Sequence, residues 1–445
     1  MTGIELPPPL DRLLDTLSSL LDARHAELLE PLFVGTLLAH GRRTATTWFR
    51  AGDFAAEFRR GYTLLGTLGR SCCDAFASIL CNRLQSTIDP GPFWLFALDD
   101  TPTQRYGPEV EGAGIHHNPT PGPAGQQHLY GHVWVTLGWI VRHPECHTLA
   151  LPLLADLYIR RTDLPKIDAD RRPEFHTKLE SAAAQLHWLA EHFRGSDKPI
   201  WAVADGAYAK RPVLRAARAE GITYVGRLPR NAALCSLPPA VPEGERGRGR
   251  PRRYGTRRLS LAKRAGHAQG WQEVECWQYQ QRRTKRVKTF LATWRPAGGV
   301  IRVVLVKEDD GWIAYFCTDP NATVVDILES AAGRTALEQT FKDVKEVEGA
   351  GQQQLRYWRA NVGAFHWCLW NYTAVEWWAW QKTFGELVDR SQAPWDETER
   401  RTSHAEKRKA LQREMLRDEF WRVWGNEPCA AKMQQWVEFV LAMPA

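Results

Sequence analysis

The spacing of apolar positions changes several times along the chain, and each change marks a different kind of element. Leu13, Leu14, Leu17, Leu20 and Leu21 recur at the three-and-four spacing of a single helix face. A second apolar stretch, 33–41, closes on Gly41 and is followed by 42–50, so two short helices joined by a tight turn are predicted. Residues 1–90 therefore read as helical. From 93 the pattern becomes continuous: Phe93 to Leu98 is unbroken by polar residues and ends in Asp99-Asp100, the signature of a strand buried on both faces. Strands are predicted at about 131–141 and 148–155, a helix at 173–194, and a second buried strand at 199–204 that ends in Asp205. A helix at 211–220 and a strand at 222–226 follow. Three strands, helix, strand, helix, strand is an α/β order. Period-two alternation over 272–279 and 300–306 makes 228–320 a β-rich insertion. A helix beginning near Ala322 resumes the interrupted pattern, and 353–445 is helical and rich in tryptophan, with Trp367, Trp370, Trp377, Trp378 and Trp380 spaced to pack on the α/β body.

This pattern divides the chain into a helical region (1–90), the first part of an α/β core (91–227), an insertion (228–320), a returning core helix (321–352) and a helical tail (353–445). With 445 residues, 44% hydrophobic and 24% charged, the composition is that of a globular protein. No apolar run approaches the ~20 residues needed to cross a bilayer, and no secretory leader is visible at the N-terminus, so a cytoplasmic location on the nucleoid is expected and no membrane partner is. The nine cysteines are scattered and never form Cys-x-x-Cys, which favours free thiols over a disulfide framework or a zinc ribbon.

The net charge of +7 conceals an asymmetry. Fourteen basic residues against Glu273 and Glu275 give segment 246–288 a net of +12, which leaves the remainder at −5. Such local excess suits neutralisation of phosphates. Within it, Arg246-Gly-Arg-Gly-Arg-Pro-Arg-Arg253 resembles the AT-hook pattern, placing Arg248, Arg250, Arg252 and Arg253 as candidate DNA contacts. Arg42 and Arg43, at the turn between the two short N-terminal helices, are candidates of the same kind. Of the histidines, His128 and His132 have i, i+4 spacing, but the strand pattern around them argues against a zinc site. Together with His116 and His117 they are expected on loops near the first acid.

Carboxylates at the ends of two buried strands, with a third on a helix whose face also carries basic residues, meet a definite chemical need. Two divalent cations require hard oxygen ligands, and together they activate an oxygen nucleophile and stabilise the leaving oxygen of a phosphodiester. On the helix, Glu338 lies about 40° from Arg334, and Lys345 about 20° back toward Arg334, so all three share a face. The segments Leu98-Asp-Asp-Thr101, Ala204-Asp-Gly-Ala-Tyr208 and Arg334-x3-Glu338-x6-Lys345 resemble those of DDE insertion-sequence transposases, in the branch with a β-rich insertion and a Tyr-Arg-Glu-Lys signature. Ala331 stands where that signature has tyrosine.

The resemblance implies an RNase H-like catalytic core. It also implies Asp100, Asp205 and Glu338 as a triad holding two Mg²⁺ or Mn²⁺ ions, with Asp99 as the alternative first ligand. Arg334 and Lys345 would contact DNA, and a homodimer would act on double-stranded transposon ends and target DNA. The activity implied is Mg²⁺-dependent cleavage of the ends and joining of the 3′-hydroxyls. An RNase H-like nuclease without strand transfer, and an inactive transposase-derived DNA-binding protein, are the alternatives. An aromatic of the insertion would stack on a flipped base: Trp294 is the first choice, ahead of Trp271, Trp277 and Trp312.

Overall fold

The leucine stripe near the N-terminus folds as α1 (Pro8–Ser18), which buries Leu10, Leu13, Leu14 and Leu17 and stops before the exposed Leu20. The computed structural model describes residues 4–118, 125–239, 252–391, 393, 395–397 and 400–424. After α1 come α2 (Ala23–Ala26), α3 (Leu29–Leu38), α4 (Ala45–Ala51), α5 (Phe58–Thr67) and α6 (Cys73–Gln85). A turn of π-helix at Leu68–Cys72 joins α5 to α6. By length and composition alone the stretch Ala55–Gln85 could cross a membrane. Its apolar positions, among them Leu64, Leu65, Leu68, Phe76 and Leu80, instead lie in the protein core.

The sheet begins with β1 (Trp94–Gln104), β2 (Gly114–His117), β3 (His128–His143) and β4 (His147–Tyr158), then α7 (Lys178–His192), β5 (Ile200–Ala204), α8 (Arg211–Ala219) and β6 (Thr223–Arg227). β3 pairs antiparallel with both β1 and β4, while β5 joins β1 and β6 joins β5 in parallel. The resulting order, β4-β3-β1-β5-β6, with α7 and α8 as crossovers, makes this an α/β protein, as the pattern of apolar runs predicts, with the RNase H-like core that the resemblance implies. The capping box at Thr177 and Glu180 starts α7 five residues later than the predicted boundary.

Residues 228–320 contribute β7 (Leu234–Cys235), β8 (Arg258–Leu259), α9 (Leu261–Gly266), β9 (Gln272–Gln278), β10 (Gln281–Trp294), β11 (Gly299–Glu308) and β12 (Gly311–Cys317). Their strands do not form a separate sheet. β12 pairs antiparallel with β6, with Phe316 opposite Gly226, so the insertion extends the core sheet to twelve strands. β9 and β10 form a hairpin turned by Tyr279 and Gln280, both in the left-handed region. Arg282, Arg283 and Arg286 are exposed along it.

The chain then forms α10 (Val324–Gly333), α11 (Thr335–Glu346), α12 (Trp358–Ala379), α13 (Phe384–Leu387) and α14 (His404–Trp424). α12 is buried on nearly every side and acts as an axle. Trp370 donates its indole N–H to the Leu153 carbonyl of β4 at 2.9 Å, Trp367 donates to Thr36 Oγ1 of α3 at 2.9 Å, and Phe365 stacks on Trp134 of β3. The axle meets the α5–π junction through two glycines. A Cβ on Gly363 would come within 1.9 Å of the Leu65 carbonyl oxygen, and one on Gly69 equally close to that of Arg359, so any side chain there would force the helices apart.

The most concentrated polar feature of this core joins α14 to α12 and to the end of α11. His404 gives Nε2 to Glu348 and Nδ1 to Glu376, each at 2.8 Å, and Lys407 pairs with the second Glu376 oxygen. The histidine and both glutamates are at most 1% exposed. Burial works against the charge on His404, but two carboxylates outweigh it and raise the pKa to about 9, while the cations hold Glu376 down to about 2 against its own burial. The histidine's contribution to stability is thus fully present below about pH 6.5 and lost as pH rises through about 9. The Glu376 contribution is present above pH 4.5 and lost as pH falls toward 2. His404→Ala should cost about 3–5 kcal/mol near neutral pH because it leaves buried carboxylates without their partner. Denaturant unfolding at pH 6 and pH 9.5 checks this: the parent should lose markedly more stability between the two than the variant does.

Candidate active site

The site is built by register. Leu98 of β1 lies opposite Ala204 of β5 in the parallel pair, so the next residues along, Asp99 and Asp205, follow side by side. Neighbouring strands are ~4.8 Å apart, and residues in register point to the same face. β1 does not end at its acids, as the apolar run suggested. It continues to Gln104 against β3, with Asp99 opposite Thr136, which holds the first carboxylate on rigid mid-strand backbone. Asp205 is fixed differently: its Oδ1 accepts the N–H groups of Ala207 (2.8 Å) and Tyr208 (3.3 Å) in the turn after β5.

The face that carries Asp99 is covered by α10 and α11. Leu95, Ala97, Trp201 and Val203 pack there with Ile327, Leu337 and Phe341. The predicted single helix from 322 is in fact two, and Arg334 is the joint between them. From that joint Arg334 pairs with Asp99 Oδ2 through Nη1 and with Glu338 Oε1 through Nη2, the latter at 2.8 Å. Lys345, two turns further along α11, donates from Nζ to Thr101 Oγ1 at 3.0 Å. Thr101 is on the same pleat face as Asp99, which places the three same-face residues of α11 and its joint along one line of β1.

Asp100 occupies the opposite pleat. Its Oδ2 accepts from Lys178 Nζ of α7 at 2.6 Å and its Oδ1 from the Tyr208 hydroxyl at 2.9 Å. The preference for Asp100 as first carboxylate is therefore not what the geometry favours: Asp99, the alternative, is the one brought together with Asp205, Arg334 and Glu338. Lys178 and Tyr208 were not singled out in the sequence as partners of an acid. Tyr208 lies within the quoted Ala204 to Tyr208 segment, while nothing local marks Lys178, which reaches Asp100 only because α7 crosses back over the sheet.

Electrostatics mark Asp99 as the strained member. It is 15% exposed, and burial raises its carboxyl pKa to about 6; Arg334 opposes that rise, whereas the charges of Asp205 and Asp100 add to it. For Arg334 burial works against the charge, but Asp99 and Glu338 overcome it and raise its pKa. Burial lowers that of Lys345. Glu338, 55% exposed, is the most accessible of the three acids.

Among the described residues, no group of three or more His, Cys, Asp or Glu is gathered closely enough to hold a metal ion as it stands. The donor chemistry nevertheless fits one. Asp99, Asp205 and Glu338 are hard oxygen donors, and a guanidinium already bridges two of them in the position of a counter-cation.

Other predicted residues are distributed as follows. Arg248 and Arg250 lie outside the described residues, and Arg252 and Arg253 are exposed. Arg42 and Arg43 precede α4, whose N-cap is Thr44. Arg42 is exposed, while the Arg43 backbone is tied to Gln352 and Gln353 in the loop after α11. Trp294 is only 5% exposed and packs edge-on against Phe316, so a base could reach it only by displacing the core; Trp271, Trp277 and Trp312 are the partly exposed tryptophans of this region. The four histidines sit on strands β2 and β3 rather than on loops. His132 is wholly buried, bonded to Arg105 and to the Glu111 carbonyl, and burial drives its pKa well down.

The family model described as DDE superfamily endonuclease matches residues 16–297, well over half of the chain. The chain belongs to this family, which makes it a nuclease-type enzyme with DNA as the implied substrate and divalent metals as the usual cofactors of the superfamily. The matched segment contains Asp99, Asp100 and Asp205 and stops before Glu338. No curated protein matches the chain.

The Asp99 environment gives a direct check. Removing the positive neighbour in Arg334→Ala should move the Asp99 carboxyl pKa above its value of about 6, and removing the negative one in Asp205→Asn should move it below. A carboxyl ¹³C NMR titration of the metal-free protein reads both signs.

Proposed function

We propose that the chain cleaves DNA at the ends of a mobile element and joins the freed 3′-hydroxyls to target DNA. The observation that carries this reading is the pairing of Arg334 with both Asp99 and Glu338, next to the strand end that carries Asp205, on a family background of DDE endonucleases. Asp99, Asp205 and Glu338 would hold two Mg²⁺ or Mn²⁺ ions, which when bound supply Lewis-acid stabilisation of the attacked phosphodiester and activation of the attacking hydroxyl.

The protein's own part is positioning. β1 and the turn after β5 fix two acids on backbone that cannot drift, and α11 presents the third on a more exposed helix face. A DNA phosphate offers Arg334 an alternative anionic partner, so substrate arrival would draw the guanidinium away from the acids. Lys345 stands beside the same strand to take a neighbouring phosphate. Lys178 and Tyr208 keep Asp100 on the far pleat, where it orders the strand without facing the site. Arg252, Arg253 and the basic β9–β10 hairpin add exposed charge for the flanking duplex. A homodimer on paired ends would let both strands of the element be processed together.

Asp99→Asn, Asp205→Asn and Glu338→Gln should each reduce cleavage of an end-bearing duplex at least roughly 100-fold, a loss of about 2.7 kcal/mol in transition-state stabilisation. Asp100→Asn should retain about a tenth or more of the rate. Cleavage at the parental rate in Asp205→Asn or Glu338→Gln would refute the reading. A strand-transfer assay with pre-cleaved ends tests the joining step separately: cutting without joining would reduce the protein to a nuclease.

A further inference from the structure

Two large grooves flank α11, and their linings differ in kind. One, on the β3–β4 side, mixes Asp89, Asp326, Glu329 and Asp343 with Arg142 and Arg401, and so has no net preference for an anion. The other, about 780 Å³, opens where β1 leaves the candidate active site, and among the described residues no carboxylate lines it. Its charged groups are Arg42 and Lys345, its amides include Gln104, Gln352 and Gln354, and Tyr106 forms part of its wall. Tyr106 is 67% exposed, so its ring is accessible among the described residues.

The floor of this groove is built. Arg105, 3% exposed, donates from Nη1 to the Gly351 carbonyl and from Nε to His132 Nδ1 at 3.1 Å, which ties the loop after α11 to β1. Gly351 has φ +94°, and a Cβ there would press to 3.0 Å on Thr103. The same loop receives the backbone N–H of Arg43 on Gln352 Oε1 at 2.8 Å, which holds the turn bearing Arg42 beside Lys345. Three distant parts of the chain thus converge to place two cations, a set of amides and one open aromatic ring together.

The spacing relates the groove to the acids. Lys345 is seven residues from Glu338, ~10 Å along a helix, and Gln104 is five residues from Asp99, ~17 Å along a strand. That is the reach of a few nucleotides. We infer that this groove seats the nucleotides adjoining the cut phosphodiester as an unpaired strand, with one base stacked on Tyr106, phosphates on Arg42 and Lys345, and base edges read by Gln104. The inference rests on the nuclease reading for the identity of its ligand. A ring needs an unpaired base face to stack on, and amides need base edges to bond, so a single strand suits this lining better than a closed duplex.

The test uses the full chain and a twelve-residue oligothymidylate carrying one central 2-aminopurine, with fluorescence as readout. The parent should quench the probe on binding. Tyr106→Ala should remove most of the quenching and weaken binding at least roughly fivefold, and Tyr106→Phe should restore both. Arg42→Ala should weaken binding roughly five- to tenfold, more at low salt than at high. Both side chains are exposed, so these variants keep the fold. Unchanged quenching in Tyr106→Ala, or unchanged affinity in Arg42→Ala, overturns the inference. If that occurred while Asp99→Asn still abolished cleavage, the groove would fall and the nuclease reading stand. If cleavage survived Asp99→Asn while quenching followed Tyr106, the reverse would hold.

Discussion

The candidate site depends on one pairing register, Leu98 opposite Ala204 in adjacent parallel strands. A slip of one residue would turn Asp99 to the α7 face and leave Asp205 beside Asp100, because side chains alternate along a strand. Burial enforces the register: Phe96, Ala97 and Leu98 are fully buried and would each change face, against the equally buried Ala202 and Val203 of β5. The hydrophobic effect thereby fixes where two negative charges meet. Their repulsion is part of the reason that Asp99 holds its proton more tightly than an ordinary aspartate, though burial contributes more.

Arg334 balances that charge. It sits at the joint between two helices, so its backbone is positioned by the packing of α10 and α11 on the sheet while its guanidinium spans Asp99 and Glu338. The far end of α11 is anchored independently, through Glu348 and His404 to α14 and through the buried α12 to β4 and the N-terminal helices. The helix bearing the third acid is therefore clamped beyond its C-terminus by a buried ionic cluster and joined at its start by an arginine whose partners can be exchanged. Such an arrangement keeps Asp99 and Glu338 close through their shared arginine.

Much of this was legible in the chain, for physical reasons that can be named. The buried strands at 93–98 and 199–204 announce themselves because residues hidden on both faces must be apolar, and the acids that follow them stand out by contrast. Arg334 and Glu338 were placed on one face by helical periodicity, and their i, i+4 ion pair follows from that spacing even though a helix joint falls at Arg334. The choice between Asp99 and Asp100 was not legible, because either residue can end an apolar run and only pairing with β5 assigns a face. Trp294 illustrates the same limit from the other side: a tryptophan of the insertion is a candidate for base stacking until the sheet places Phe316 against it.

The sequence by itself determined the order of elements, the concentration of positive charge in 246–288 and the three neighbourhoods from which acids would come. These are properties of local composition and periodicity, and they do not depend on what lies across the fold. Tertiary structure decided what long-range contacts alone can decide. It joined the insertion to the core sheet through β12 and β6, turned Asp99 rather than Asp100 toward Glu338, and brought Arg42, Tyr106 and Lys345 to one groove from positions up to three hundred residues apart. The reason is common to all three. Strand pairing and side-chain burial act between residues that have no relation along the chain, so the pattern of any one segment carries no record of its partners.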